Sequence, residues 1–310
     1  MANIKFSQFT TQTDPANVQF VVGFNGTTNV KIAPGDIGGG GATSLNGLTD
    51  VTIDLTSDSA YFISIPSGII PGATGNLTIG EEALNNLTTG DYNTAIGFGA
   101  LNLSTTSSNS TAVGYMAGSS AGTNLQLNTV CIGDSAGFGR SGYRTVAVGS
   151  GAMGFGSGKT AVNRNTAIGY HALYRIDTNS TDNIALGHEA SQFLTTALEN
   201  IAIGDNAARS STSNGHMSIG YQAGYSQTSG TNNTNLGYQA GNTNTTGSSR
   251  TIIGNEAGRY NTGNFNVAIG TQAMIGSVSG SSHSSSVAIG ASAGQNVTGG
   301  GQATTHCRSH

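Results

Sequence analysis

The sequence predicts an all-β fold, a parallel β-solenoid or β-roll of about 13 coils. Three observations lead there. A motif of Ile, Val or Leu, then Gly-x-x-Ala, recurs 13 times at spacings of 16 to 20 residues, with a small residue before it in most units. Glycine supplies 48 of 310 residues, about twice the usual share, while charged residues supply only 8 %. No 3.6-residue period is visible, and helical repeats need longer units than these.

The elements follow in chain order. Residues 1–41 read as an N-terminal attachment segment. Within it "FVVGF" and "NVKI" flank Asn25-Gly26, a hairpin signal, and "GGGG" at 38–41 reads as a flexible break. Residues 42–75 read as a β-rich transition and cap, with strands over 50–55 and 60–65 and "FISIPSG" as a degenerate lead-in coil. The repeat shaft spans 76–298, and 299–310 is expected to be a tail without order.

The shaft is aligned by its register glycines: Gly80, Gly97, Gly114, Gly133, Gly149, Gly169, Gly187, Gly204, Gly220, Gly237, Gly254, Gly270 and Gly290. Positions below are counted from that glycine, and coils are numbered from Gly80. Alternate strand residues share a face. Position −1 (Ile96, Ile168, Ile203) therefore shares a bulky face with −3 (Thr94, Thr166, Ile201). Between them sits a small residue such as Ala95, Ala167 or Ala202, and Ala recurs at +3 in every unit. A coil of about 17 residues cannot bury its own apolar edge, so neighbours must stack. The thin −2 face is expected to meet other chains around a three-fold axis, giving a homotrimer. Asn recurs at −4 (Asn76, Asn93, Asn165, Asn183, Asn200, Asn233, Asn266), which predicts a stacked side-chain ladder.

The "NTAIG-x-x-A" units closely resemble the β-roll repeats of trimeric autotransporter adhesin heads (YadA-like), which also occur in bacteriophage tail fibres. The resemblance covers most of the chain. It implies a trimeric, left-handed parallel roll serving as a shaft or adhesive stalk. The N-terminus has no apolar stretch of signal-peptide type, so the expectation is a virion fibre assembled in the host cytoplasm. Residues 1–75 are expected to dock it to a tail or capsid protein, with a host surface glycan as a further partner. A cellular filament or adhesin built from the same roll is the alternative; an ice-binding solenoid and a depolymerase spike fit less well.

The residue chemistry points away from catalysis, cofactors and nucleic acid. A net charge of −4 with no Lys/Arg cluster leaves no footprint for nucleic acid, and no apolar run is long enough to span a membrane. Depolymerases need paired carboxylates. The acids here (Glu81, Glu82, Asp134, Glu189, Asp205, Glu256) read as solvated turn residues, and Glu189 and Asp205 sit at different offsets on consecutive coils. Aromatics recur at +1: Phe98, Tyr115, Tyr170, Tyr221 and Tyr238. Tyr221 and Tyr238 on successive coils are candidates for stacking and for a glycan contact, with packing as the reading preferred. His171 and His188 read as surface residues, and Cys131 as a small buried residue. No metal site is expected; His306, Cys307 and His310 are the weak candidates, because all three are ligand types.

Overall fold

The computed structural model describes four N-terminal strands (Phe20–Phe24, Asn29–Ile32, Val51–Asp54 and Ser59–Phe62). It also describes residues 73–295, apart from 120–125, 140–141, 155–161, 178, 196 and 277–281, together with 302 and 304–306. Thirteen three-residue strands, from Leu77–Ile79 to Val287–Ile289, pair in parallel in one register, so that every −2 residue meets the −2 residue of the next coil. They form most of a 16-stranded sheet. Twelve steps of ~4.8 Å make the shaft roughly 60 Å long. A second, two-stranded parallel pair joins Gln126–Leu127 to Gly142–Tyr143.

Ser59–Phe62 pairs in parallel with Leu77–Ile79, placing Phe62 opposite Ile79 as a lead-in coil would. Val51–Asp54 turns back antiparallel on it, ending the parallel run. Phe20–Phe24 and Asn29–Ile32 pair antiparallel across Asn25-Gly26. The glycine run 38–41 lies outside the described residues. At the other end the structure corrects the sequence reading. Thr304–His306 is not a free tail but a further parallel strand, with Thr304 opposite Val287 and His306 opposite Ile289.

Each coil turns its corners with residues of positive φ at −5, +2 and +4. Examples are Tyr92 (φ 58), His171 (φ 53) and Leu173 (φ 50). This is the left-handed region that L-residues reach at modest cost, so these positions vary in sequence. The register glycine is different. Its φ runs from 119° at Gly290 to 138° at Gly187, where a Cβ is strongly disfavoured. A Cβ at Gly187 would also lie 2.4 Å from the Gly204 carbonyl oxygen of the next coil. The φ restriction holds in all 13 coils and the close contact from Gly80 to Gly270, which is why this position never varies.

A second correction concerns the faces. The −2 alanines, among them Ala95, Ala167, Ala202 and Ala268, are fully buried, as is Ala at +3 in nearly every coil. They point into the coil, whose cross-section is too narrow for larger groups. The small-residue face is therefore the interior lining and not the place where another chain docks. The bulky −1 and −3 residues point outward. Inside, position +4 faces −2. In coils 2, 5, 6 and 12 Leu or Met at +4 (Leu101, Met153, Leu173, Met274) accompanies Ala at −2, and in coils 4, 9, 10 and 11 Gly at +4 accompanies a larger −2 residue (Cys131, Ser218, Asn235, Ile252). A Cβ at Gly137 would lie 2.5 Å from Cys131 Sγ, and one at Gly258 3.0 Å from Ile252 Cδ1.

The asparagine ladder forms as the sequence suggests, and it is buried. Asn93 donates its backbone N–H and its Nδ2 to Asn76 Oδ1 at 2.9 and 3.0 Å; Asn183 does the same to Asn165, and Asn200 to Asn183. The remaining Nδ2 capacity goes to loop carbonyls, as from Asn93 to Ser107 at 2.7 Å. The ladder satisfies backbone groups that a corner would otherwise bury unpaired.

Candidate functional site

The sheet lays its −1 and −3 side chains side by side along the whole shaft. Most are Ile, Val, Leu or Met, with Thr at −3 in coils 2, 3, 6, 10 and 11. Ile132, Ile168, Ile184, Ile203, Leu236 and Ile289 are 38–43 % exposed, high for aliphatic side chains in the middle of a sheet. A strip three residues wide and twelve steps long covers ~600 Å², at the upper end of the apolar patches that soluble monomers expose. The only polar members are neutral hydroxyls, so nothing in the strip resists contact with an apolar partner.

Beyond the register glycine, the +1 column forms an aromatic margin. Phe98 stacks on Tyr115 with centroids 5.5 Å apart, Tyr170 on His188 at 5.4 Å, and Tyr221 on Tyr238 at 5.3 Å, all within about 13° of parallel. The stacking expected of Tyr221 and Tyr238 is thus present. Their ring faces are turned to one another, which leaves edges and hydroxyls toward solvent. A sugar's apolar face would find no open ring between them.

The acids are dispersed. Glu189 accepts from Arg209 Nε at 2.7 Å, whereas Asp205 lies 3.3 Å from His188 Nδ1, so the two carboxylates of consecutive coils serve different partners. Glu256 pairs with Arg259 and accepts from Gln272 Nε2 at 2.9 Å. Among the described residues no three His, Cys, Asp or Glu side chains gather in metal-binding geometry. Cys307 and His310 lie outside the described residues, and His306 is placed only as part of a strand. Burial pushes the Cys131 thiol up to about 12, so it is an inert packing group at neutral pH. Among the described residues no helix is long and apolar enough to cross a membrane.

Two features escaped the sequence reading. Arg175 and Arg209 sandwich the Phe193 ring at 5.2 and 4.8 Å, and Arg209 also donates to the Tyr225 hydroxyl at 3.0 Å. These residues sit at +6, +6, +5 and +5, an offset that shifts with loop length and so hides the column. The second is a pair of basic residues inside the asparagine ladder. His216 is buried, its Nε2 lies 2.8 Å from Ser213 Oγ, and its Nδ1 accepts the Asn233 N–H at 3.4 Å. That arrangement requires the neutral Nε2–H tautomer, and burial lowers its pKa to about 4. Arg250 is also fully buried, and burial lowers its pKa to about 10. The gaps in the Asn column at 216 and 250 were the available signal.

No protein-family model, curated protein or solved structure matches this chain.

Proposed function

We propose that this chain is the shaft of a homotrimeric virion fibre, structural and adhesive rather than catalytic. The observation that carries this reading is the continuous outward face of aliphatic and threonine side chains, ~600 Å² per chain, on a solenoid that turns its small residues inward. Three such strips facing one axis would bury about 1,800 Å² in total, the area of a stable specific interface. The exposed aromatic margin would then flank the seams. Residues 1–75, the only stretch not repeated along the shaft, are assigned to docking on a tail or capsid protein.

The test is assembly. Sedimentation of the purified chain should give a trimer, and Ile168→Asp with Ile203→Asp should give monomers that keep their β-sheet circular dichroism, because both side chains point outward. A wild-type chain that sediments as a stable monomer refutes the assembly. For the virion role, a chain lacking residues 1–41 should keep the trimeric shaft and fail to incorporate into particles; normal incorporation refutes the docking assignment.

A further inference from the structure

We propose that the interior of coils 9–11 holds a small monovalent anion, of the size and charge of chloride, against the Arg250 guanidinium. The setting is a break in the apolar core. One buried apolar cluster ends at Ala208, and the next begins at Ala240. Between and beside them polar side chains enter the interior: Ser218 and Asn235 stand at −2 where most coils have Ala, and Gln227 and Asn244 stand where coil 7 has Leu194. Arg250 enters this segment from the ladder position, leaving 1 % of its surface exposed. Its side-chain hydrogen bond among the described residues is long, from Nη2 to the Gly258 carbonyl at 3.4 Å. Coil 11 makes room for it: a Cβ at Gly258 would lie 3.1 Å from Nη2.

Among the described residues the guanidinium has no counter-charge. Its Nε and Nη1 find no partner among the described residues, and the nearest acid in sequence, Glu256, is engaged by Arg259 and Gln272. Other buried groups of coils 9–11 tilt the same way. Gln227 Nε2 and Asn261 Nδ2 are donors without acceptors, against the single unused acceptor Asn235 Oδ1. A surplus of N–H groups around a buried positive charge calls for a species that only accepts and carries negative charge. Water brings donors of its own and leaves the charge uncompensated. A polyvalent anion would overcompensate a single guanidinium, so a halide fits best.

The test uses the full chain, refolded from denaturant in sodium bromide so that an enclosed site can load. Anomalous diffraction should place a bromide peak within hydrogen-bond distance of the Arg250 guanidinium in wild type and none at this position in Arg250→Asn, which restores the ladder residue. At constant ionic strength, exchanging chloride for gluconate should lower the wild-type unfolding midpoint and leave Arg250→Asn and Arg250→Met unmoved. A site filled by water alone in bromide, or the same anion response in all three proteins, overturns the proposal.

Discussion

Cys131 and Gly137 lie on opposite sides of the interior of coil 4, and the fold ties their sizes together. A methyl group at 137 would sit 2.5 Å from Cys131 Sγ, about 1 Å inside ordinary contact. Gly137→Ala alone should therefore cost about 2–3 kcal/mol, from overpacking plus the left-handed φ of 67°, less the entropy that alanine removes from the unfolded chain. Cys131→Ala alone removes one buried heavy atom and should cost about 1 kcal/mol. Together they reproduce coil 8, where Ala202 faces Ala208 at φ 47° with both side chains buried. The double variant should then retain only the backbone term, about 1 kcal/mol below wild type. The coupling would be about 2 kcal/mol or more, well above the ~0.5 kcal/mol scatter of independent sites. Urea unfolding of all four proteins at one protein concentration measures it. If the two single effects simply add, the pairing of −2 with +4 is not what sets the size of these residues.

The register glycine should be intolerant where the neighbouring corner is not. Gly187→Ala, with its Cβ 2.4 Å from the Gly204 carbonyl, should abolish folding or cost upward of 4 kcal/mol, while Asn206→Gly at a φ of 56° should stay within about 1 kcal/mol; thermal unfolding compares them. His216 makes the shaft acid-sensitive. Its folded pKa of about 4 lies below the ordinary 6.5, so the unfolded chain binds the extra proton. Stability is then full above pH ~6.5 and falls by about 3 kcal/mol per chain as the pH drops to ~4. His216→Asn should flatten that limb of the urea midpoint against pH, and an unchanged acid limb would place the titration elsewhere.

The parallel solenoid was legible because its strictest demand is written in one letter. Only glycine satisfies both the φ near 130° and the contact with the next coil, so the register survives every change of loop length. The Asn ladder was legible for a related reason: seven of the 13 coils place at −4 a side chain that both donates and accepts. The faces were not legible. Alternation shows that Ala167 and Ile168 point opposite ways, but not which way is in. An ordinary sheet buries its bulky side, and that rule fails in a coil that admits a large −2 residue such as Ile252 only where a glycine faces it.

The same narrowness accounts for the remaining differences. Where the interior is one methyl wide, a residue's size is set by the residue facing it and not by the motif, so Ile252 and Asn235 are legible only alongside Gly258 and Gly241. The Arg175–Phe193–Arg209 stack lies outside that constraint. It depends on where loops of different lengths bring their side chains back into line, which a register counted from the glycine does not follow. The coil thus confines its sequence most tightly at the glycine and in the interior, and leaves its outer face free of charge along its entire length, built from aliphatic and threonine side chains. A face with that freedom, in a chain with so few charges to spend on solubility, is most simply understood as one that other chains cover.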